Sequence, residues 1–262
     1  MLIIGERINT SRPAVKKAVE ERDGEFILNE ASRQIEQGAS MLDVNCGTSL
    51  EDEAEDMLWL VNTIQGKKEI PISIDSPNPE VIKKALKIHS GKAIINSITA
   101  EKARYENILP ISRDYDCAII ALTIDESGIP ESAKERFKIA RVLIEICKKY
   151  GIKKERVYVD PCVRPISTEQ DSAKVFLESI RLLKEAGFNT IAGLSNVSFG
   201  LPKRSLVNET FLSMAISYGL DACIIDPLDA NLMTALCISR MLLGKDEYCM
   251  EYLSRYREGK IA

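Results

Sequence analysis

A repeat of pattern constrains this chain most: a short apolar run followed by a longer amphipathic stretch, eight times from end to end. The runs are Leu2 to Ile4, Met41 to Val44, Ile70 to Ile74, Ala93 to Ile95, Ala118 to Leu122, Val157 to Val159, Thr190 to Leu194 and Cys223 to Ile225. Each is short and mostly apolar without alternation, as a strand buried on both faces requires. Between them, "EFILNEASRQIEQG", "EDMLWLVNTIQ", "PEVIKKALKIH", "KERFKIARVLIEICKKY" and "SAKVFLESIRLLKEAG" space apolar residues three and four apart, as half-buried helices do. Gly38, Gly151 and Gly187 stand where those helices should stop. Strand then helix, eight times over, predicts an α/β fold of the parallel (β/α)8 barrel type. The 262 residues suit it, since such barrels take roughly 250. Length alone would also allow two small domains. With no linker or low-complexity segment to divide the chain, residues 1–262 are expected to form one domain.

The residue at or just after each run carries the functional signal. In order these are Glu6, Asp43, Asp75, Asn96, Thr123, Asp160, Asn196 and Asp226, all polar. Polar residues often end strands and cap helices. In a parallel barrel, however, the eight carboxyl ends form one face, where active sites are assembled, so eight polar ends with four aspartates point to a shared ligand site. A rim of carboxylates and amides without a glycine-rich phosphate loop suits a neutral heterocycle rich in N–H donors. A 2-amino-4-oxopyrimidine edge, as in pterins and guanine, matches an aspartate that accepts two parallel N–H bonds. The alternative is a divalent metal on Asp43, Asp75 and Asp160, disfavoured because the neighbouring Asn96 and Asn196 add no charge; no bound metal is expected.

Charge and composition narrow the partners. A net charge of −4 with Lys and Arg scattered among Asp and Glu argues against nucleic acid. No stretch approaches the ~20 uninterrupted apolar residues of a membrane span, and "MLIIGERIN" reaches Glu6 and Arg7 too early for a secretory signal. Seven cysteines, at 46, 117, 147, 162, 223, 237 and 249, form no CxxC pair or metal cluster. Reduced structural thiols and a cytoplasmic protein are expected. The single histidine, His89, makes a histidine triad or two-histidine zinc site hard to build and is expected in a solvated loop.

Through "IIGERIN", "LDVNCG", "ISIDSPNP", "AIINSI", "VYVDP", "GLSNVSFG" and "NETFLSMAI", the chain resembles the methyltetrahydrofolate:corrinoid protein methyltransferases along its whole length. These are pterin-binding barrels related to the folate domain of cobalamin-dependent methionine synthase. The resemblance implies methyl transfer between N5 of methyltetrahydrofolate and the cobalt of a corrinoid, such as the corrinoid iron-sulfur protein of acetyl-CoA synthesis or the corrinoid protein of an O-demethylase system. "DxHxxG" is absent, so the corrinoid would arrive on a partner protein, and a homodimer is expected. A rival is dihydropteroate synthase. It would be expected to carry an "NVTPDSFSDGG"-like loop after its first strand and an "SRK"-like segment after its seventh, where this chain has "INTSRPAVKKA" and "LSNVSFG". The other rival is a non-catalytic pterin-binding subunit, against which Asn196 weighs.

Position by position, the resemblance implies that Asp75, Asn96 and Asp160 hold the pterin and that Asn196 faces N5, with Asn196, Asp75 and Asp160 as the catalytic set. Ser195, Glu6 and Asp43 join the substrate-binding set with less defined roles, and Asn9 is a candidate turn cap. Phe199 stands where some relatives carry a polar amide. Arg204 would meet the folate tail or the partner protein. The "YCMEYLSRYREG" tail has helical spacing and is expected to pack on its own barrel. An amide suits N5 because that tertiary amine leaves only as it gains positive character. A hydrogen bond that strengthens with that charge helps, whereas a strong acid beside cobalt(I) would risk protonating the metal. The proton would come from solvent or from a water relay through Asp75 or Asp160. Asn196 as a mere turn residue, its amide satisfied by backbone, is the plainer alternative.

Overall fold

The computed structural model describes residues 1–47, 52–66 and 69–261. Eight parallel strands close into a barrel in chain order: β1 (Leu2–Asn9), β2 (Met41–Asn45), β3 (Ile72–Asp75), β4 (Ala93–Ile98), β5 (Ala118–Leu122), β6 (Val157–Asp160), β7 (Asn189–Gly193) and β8 (Ala222–Ile225), with β8 pairing back to β1. Helices α1 (Pro13–Glu20), α2 (Gly24–Glu36), α3 (Glu53–Gln65), α4 (Pro79–Ile88), α5 (Lys102–Asp114), α6 (Ala133–Lys149), α7 (Ser172–Glu185), α8 (Arg204–Tyr218) and α9 (Ala230–Leu242) connect the strands, and α10 (Met250–Arg257) ends the chain. The chain is therefore the expected (β/α)8 barrel, with the five quoted amphipathic stretches forming α2, α3, α4, α6 and α7. Gly38, Gly151 and Gly187 follow α2, α6 and α7 at φ +111, +83 and +74, the left-handed region that an L side chain rarely adopts.

Two apolar layers hold the barrel. Outward residues such as Leu42, Ile72, Ile74, Ile95, Ile119 and Val157 pack with the helices, and Ile4, Met41, Ile94, Ile120, Ile191, Ala222 and Ile224 fill the interior. Strand edges differ from the apolar runs for local reasons. β1 continues past Ile4 through Glu6 and Arg7 because its ladder to β2 resumes at Ile8 and Asn9 after an irregularity. β3 begins only at Ile72, since Pro71 has no N–H to give a ladder; its carbonyl instead accepts from Leu42 N at 3.0 Å.

Of three smaller expectations, one shifts and two hold. His89 is not a solvated loop residue: it ends α4 half-buried, with Nε2 sequestered and burial lowering its pKa. The tail does reach its own barrel, as Arg240 of α9 pairs with Glu251 at 2.9 Å. No residue of α10 is buried, however, and Tyr248 and Tyr256 stay 86% and 66% exposed. Of the cysteines, Cys249 is exposed and the other six are buried free thiols; burial pushes Cys46, Cys147 and Cys223 up to about 12. Among the described residues no helix is long and apolar enough to cross a membrane.

Candidate active site at the barrel mouth

Strand periodicity builds the site. Side chains two residues apart share a face, so the strands that put Ile4, Met41, Ile94 and Tyr158 into the barrel interior put Glu6, Asp43, Asn96 and Asp160 one step nearer the mouth. The register sets Asp75 beside Asn96 and Asn45 beside Asp75. Above a dry floor lies a polar layer drawn from five strands.

Within it, amide N–H groups meet carboxylates. Asn96 Nδ2 donates to Asp43 Oδ1 at 3.2 Å, and Asn45 Nδ2 donates to Asp75 Oδ2 at 2.9 Å. Asp160 Oδ1 accepts from the Cys162 backbone N–H at 2.7 Å and its Oδ2 from Gly193 N at 3.4 Å. These bonds fall short of what the four acids need, Asp43 and Asp160 being buried and Glu6 and Asp75 half-buried. Burial pushes Asp43 up to about 8, with the neighbouring Asp75 carboxylate adding to the rise. Burial likewise raises Glu6 to about 7 and Asp160 to about 6. Asp75 is raised by burial too, against the pull of Asn45 and of the Arg104 guanidinium. A ligand bearing several N–H donors would complete these shells and favour the charged acids.

The raised pKa values set the sign of a pH effect. A buried acid whose folded pKa lies above its unfolded value contributes stability at low pH that is lost as pH rises through the folded value. For Asp43 that window runs from 3.8 to about 8. The ligand-free protein should therefore melt at lower temperature at pH 8.5 than at pH 6, and Asp43→Asn should flatten that slope. Calorimetric melts of both proteins across this range check it; an equal slope in the variant would mean that Asp43 is not the titrating group.

Not all eight expected rim residues converge. Asp226 is committed elsewhere: its Oδ2 takes Arg7 Nη1 at 2.7 Å and its Oδ1 accepts from Leu228 N at 2.9 Å. Thr123 is fully buried. Asn196 sits beyond the end of β7, on a short 3-10 turn, Leu194–Ser198. Its side-chain amide makes no hydrogen bond to the described residues, so backbone does not satisfy it as the plainer alternative required. Its Nδ2 lies 3.9 Å from where a Cβ on Gly193 would stand, leaning back over the strand end. Asn9 is a turn cap, its Oδ1 accepting from Ser11 N at 2.9 Å.

Arg204 is exposed at the start of α8 and anchored to the turn before it. Its guanidinium turns back onto the turn before it, donating to Ser195 O at 2.7 Å and Ser198 Oγ at 3.0 Å. Ser195 in turn spends its hydroxyl on Glu6 Oε1, at 2.8 Å. Phe199 stands 62% exposed three residues after Asn196.

Several contributors went unnoticed in the sequence. Asn45 lies two residues after Asp43 in "LDVNCG", and the strand period alone could have found it. Arg104 and Arg136 carry no such signal, because each lies within an amphipathic helix. Arg104 braces the β3 and β4 ends through the carbonyls of Ser76, Pro77 and Ser97. Arg136, 1% exposed, ties the segment after β6, through the Pro161 and Cys162 carbonyls, to the loop before α6 at the Pro130 carbonyl.

No group of three or more histidine, cysteine, aspartate or glutamate side chains able to hold a metal occurs among the described residues. The aspartates of the metal alternative each accept from an amide N–H instead. A cavity of about 600 Å³ lies apart from the mouth, lined by Glu25, Leu28, Asn29, Ala31, Ser32, Ile64 and Ile70. It brings together none of the polar layer.

Residues 5–226 match the family described as pterin binding enzyme. From end to end the chain is 36% identical to the methylcorrinoid:tetrahydrofolate methyltransferase of Eubacterium limosum, over 100% of this chain and 98% of that one. The chain belongs to the pterin-binding methyltransferases. Within this family it is also 30% identical to the methionine synthase of Mycobacterium tuberculosis over 86% of this chain, a match that spans only 20% of that protein. Solved pterin-binding barrels superpose well. The Xanthomonas albilineans dihydropteroate synthase with 4-aminobenzoic acid has a TM-score of 0.72 at 18% identity, covering 92% of this chain and 93% of that one. The Coxiella burnetii dihydropteroate synthase with pteroic acid has a TM-score of 0.73 at 16% identity, covering 92% of each chain. At that identity the likeness is one of fold, whereas the methyltransferase likeness extends through the sequence.

Proposed function

We propose that this enzyme moves a methyl group between N5 of methyltetrahydrofolate and the cobalt of a corrinoid carried by a separate protein. The end-to-end similarity to a methylcorrinoid:tetrahydrofolate methyltransferase carries the reading. The polar mouth supports it: buried acids short of donors suit the N–H edge of a pterin, and an unengaged amide stands beside them. In this reading Asp75, Asn96 and Asp160 hold the pterin's amino and ring N–H groups, with Asp43 held in place by Asn96. Asn196 hydrogen-bonds N5, and Phe199 forms an exposed aromatic wall at the mouth. Residues 1–262 act as one catalytic domain in a cytoplasmic homodimer.

The pterin is oriented by acceptors on three strands, which fixes N5 toward the turn carrying Asn196. As the N5–methyl bond breaks and the methyl passes to cobalt, N5 gains basicity, and the Asn196 NH₂ donates to it. Should N5 arrive protonated, the same amide accepts through its oxygen. The reverse transfer uses the same residues, since the forward and reverse paths share one transition state.

The test is spectrophotometric. The protein with methyltetrahydrofolate and free cob(I)alamin should form methylcobalamin, and with methylcobalamin and tetrahydrofolate should lose it. Tight pterin binding with no methyl transfer in either direction, to free cobalamin or to a corrinoid protein, would instead leave a non-catalytic pterin-binding subunit.

A further inference from the structure

The turn that carries Asn196 is tethered on every side. Gly193 N reaches Asp160 Oδ2 at its start. The loop before α7 holds the Val197 carbonyl through Ile166 N at 3.2 Å and the Phe199 carbonyl through Ser167 Oγ at 2.7 Å. Ser195, the residue before Asn196, is gripped twice: its carbonyl by Arg204 from the start of α8, and its hydroxyl by Glu6 from β1, a residue 189 positions away in the chain. Glu6 is the only side chain of β1 that reaches the turn among these bonds.

We propose that Glu6 is a positioning residue for Asn196, clamping the Leu194–Ser198 turn onto β1 through the Ser195 hydroxyl and so fixing where the Asn196 amide stands over the mouth. This rests on the proposed role of Asn196 and adds to it: Glu6 acts through Ser195 and not as a ligand of the pterin. A neutral hydroxyl bonded to a carboxylate makes a stronger and more directional bond than to a carboxylic acid, so the grip tightens when Glu6 is charged. The carboxyl is placed to change state near neutrality. Burial raises it to about 7 and Asp226 at the end of β8 adds to the rise, while Ser195, Arg12 and Arg204 lower it. Asp43 of β2 and Cys223 of β8 face it as well. As pH rises through about 7 the clamp should therefore tighten.

The test combines single-turnover methyl transfer to cob(I)alamin at saturating methyltetrahydrofolate with amide hydrogen exchange of the turn, using wild type, Glu6→Gln, Ser195→Ala and the double variant. Each single variant should slow the saturated rate on the order of ten-fold, as for one lost charge-assisted bond, with KM nearly unchanged. The double variant should be no slower than the worse single one, because both remove the same clamp. The wild-type rate should climb across pH 6 to 8, and this climb should vanish in both single variants. Exchange at residues 194–198 should quicken in each.

Three results overturn the proposal: multiplied losses in the double variant, a raised KM at unchanged rate in Glu6→Gln, or unaltered exchange of the turn. Exchange is read without turnover, so it judges the clamp even if wild type transfers no methyl, a result that would instead remove the proposed function. Glu6→Gln keeps the size of the side chain and should fold; melting temperature and pterin binding confirm that it has.

Discussion

Asn196→Ala should slow methyl transfer to cobalt(I) by about 10² to 10³, or roughly 3 to 4 kcal/mol, which is the usual cost of losing one preorganised donor at an atom that develops charge. The loss should fall on the saturated rate and only mildly on affinity, because N5 demands more of the hydrogen bond in the transition state than in the bound substrate. The local structure favours this division. The amide of Asn196 is spent on nothing else among the described residues, and it rides on a short turn held from three directions. Ordering it therefore costs little when substrate arrives. Asn196→Asp is the sharper companion, since it keeps shape and acceptor but removes the donor, and it should be nearly as slow as alanine at alkaline pH. Stopped-flow formation of methylcobalamin at saturating folate measures both. A normal saturated rate with only a weakened binding constant would reduce Asn196 to a positioning contact and send the search for the N5 donor elsewhere.

Asp75→Ala and Asp160→Ala should each weaken methyltetrahydrofolate binding by roughly 5- to 150-fold, corresponding to about 1 to 3 kcal/mol for an N–H donor buried without an acceptor. The two should differ in their side effects. Asp160 also terminates the Cys162 and Gly193 N–H groups, so its removal orphans backbone donors and should lower the melting temperature. Asp75 is engaged by Asn45 alone among side chains, and burial has already raised its pKa, so the ligand-free variant should melt no lower than wild type at pH 8. Binding should also release protons. A pterin that donates to these acids stabilises their charged forms and draws down pKa values such as the value of about 6 at Asp160. Calorimetric titration in buffers of different ionisation enthalpy measures that release near pH 6. Unchanged affinity in both variants, or proton uptake in place of release, would contradict a pterin edge held by these carboxylates.

The chain's pattern alone determined the barrel and the composition of its mouth. Short apolar runs without alternation, each ended by a polar residue, admit a closed parallel sheet with those polar residues on one face, because a strand buried on both sides has nowhere else to put them. Glu6, Asp43, Asp75, Asn96 and Asp160 were legible for that reason. Only the tertiary structure decided which polar ends were free to act. Asp226 occupies an equivalent place in the pattern, yet Arg7, on the adjoining strand β1 and 219 positions earlier in the chain, takes its carboxylate. Arg204 is anchored to the turn before it through Nε and Nη2. Asn196 follows the pattern of a strand end but stands on a turn that is hydrogen-bonded through the Ser195 hydroxyl to Glu6, 189 positions earlier in the chain. The pairings of Asp226 with Arg7 and of Ser195 with Glu6 follow from the closure of the barrel between β8 and β1, which brings distant parts of the chain together. A local pattern cannot register a contact between residues so far apart in sequence, since neither side chain changes the periodicity around it.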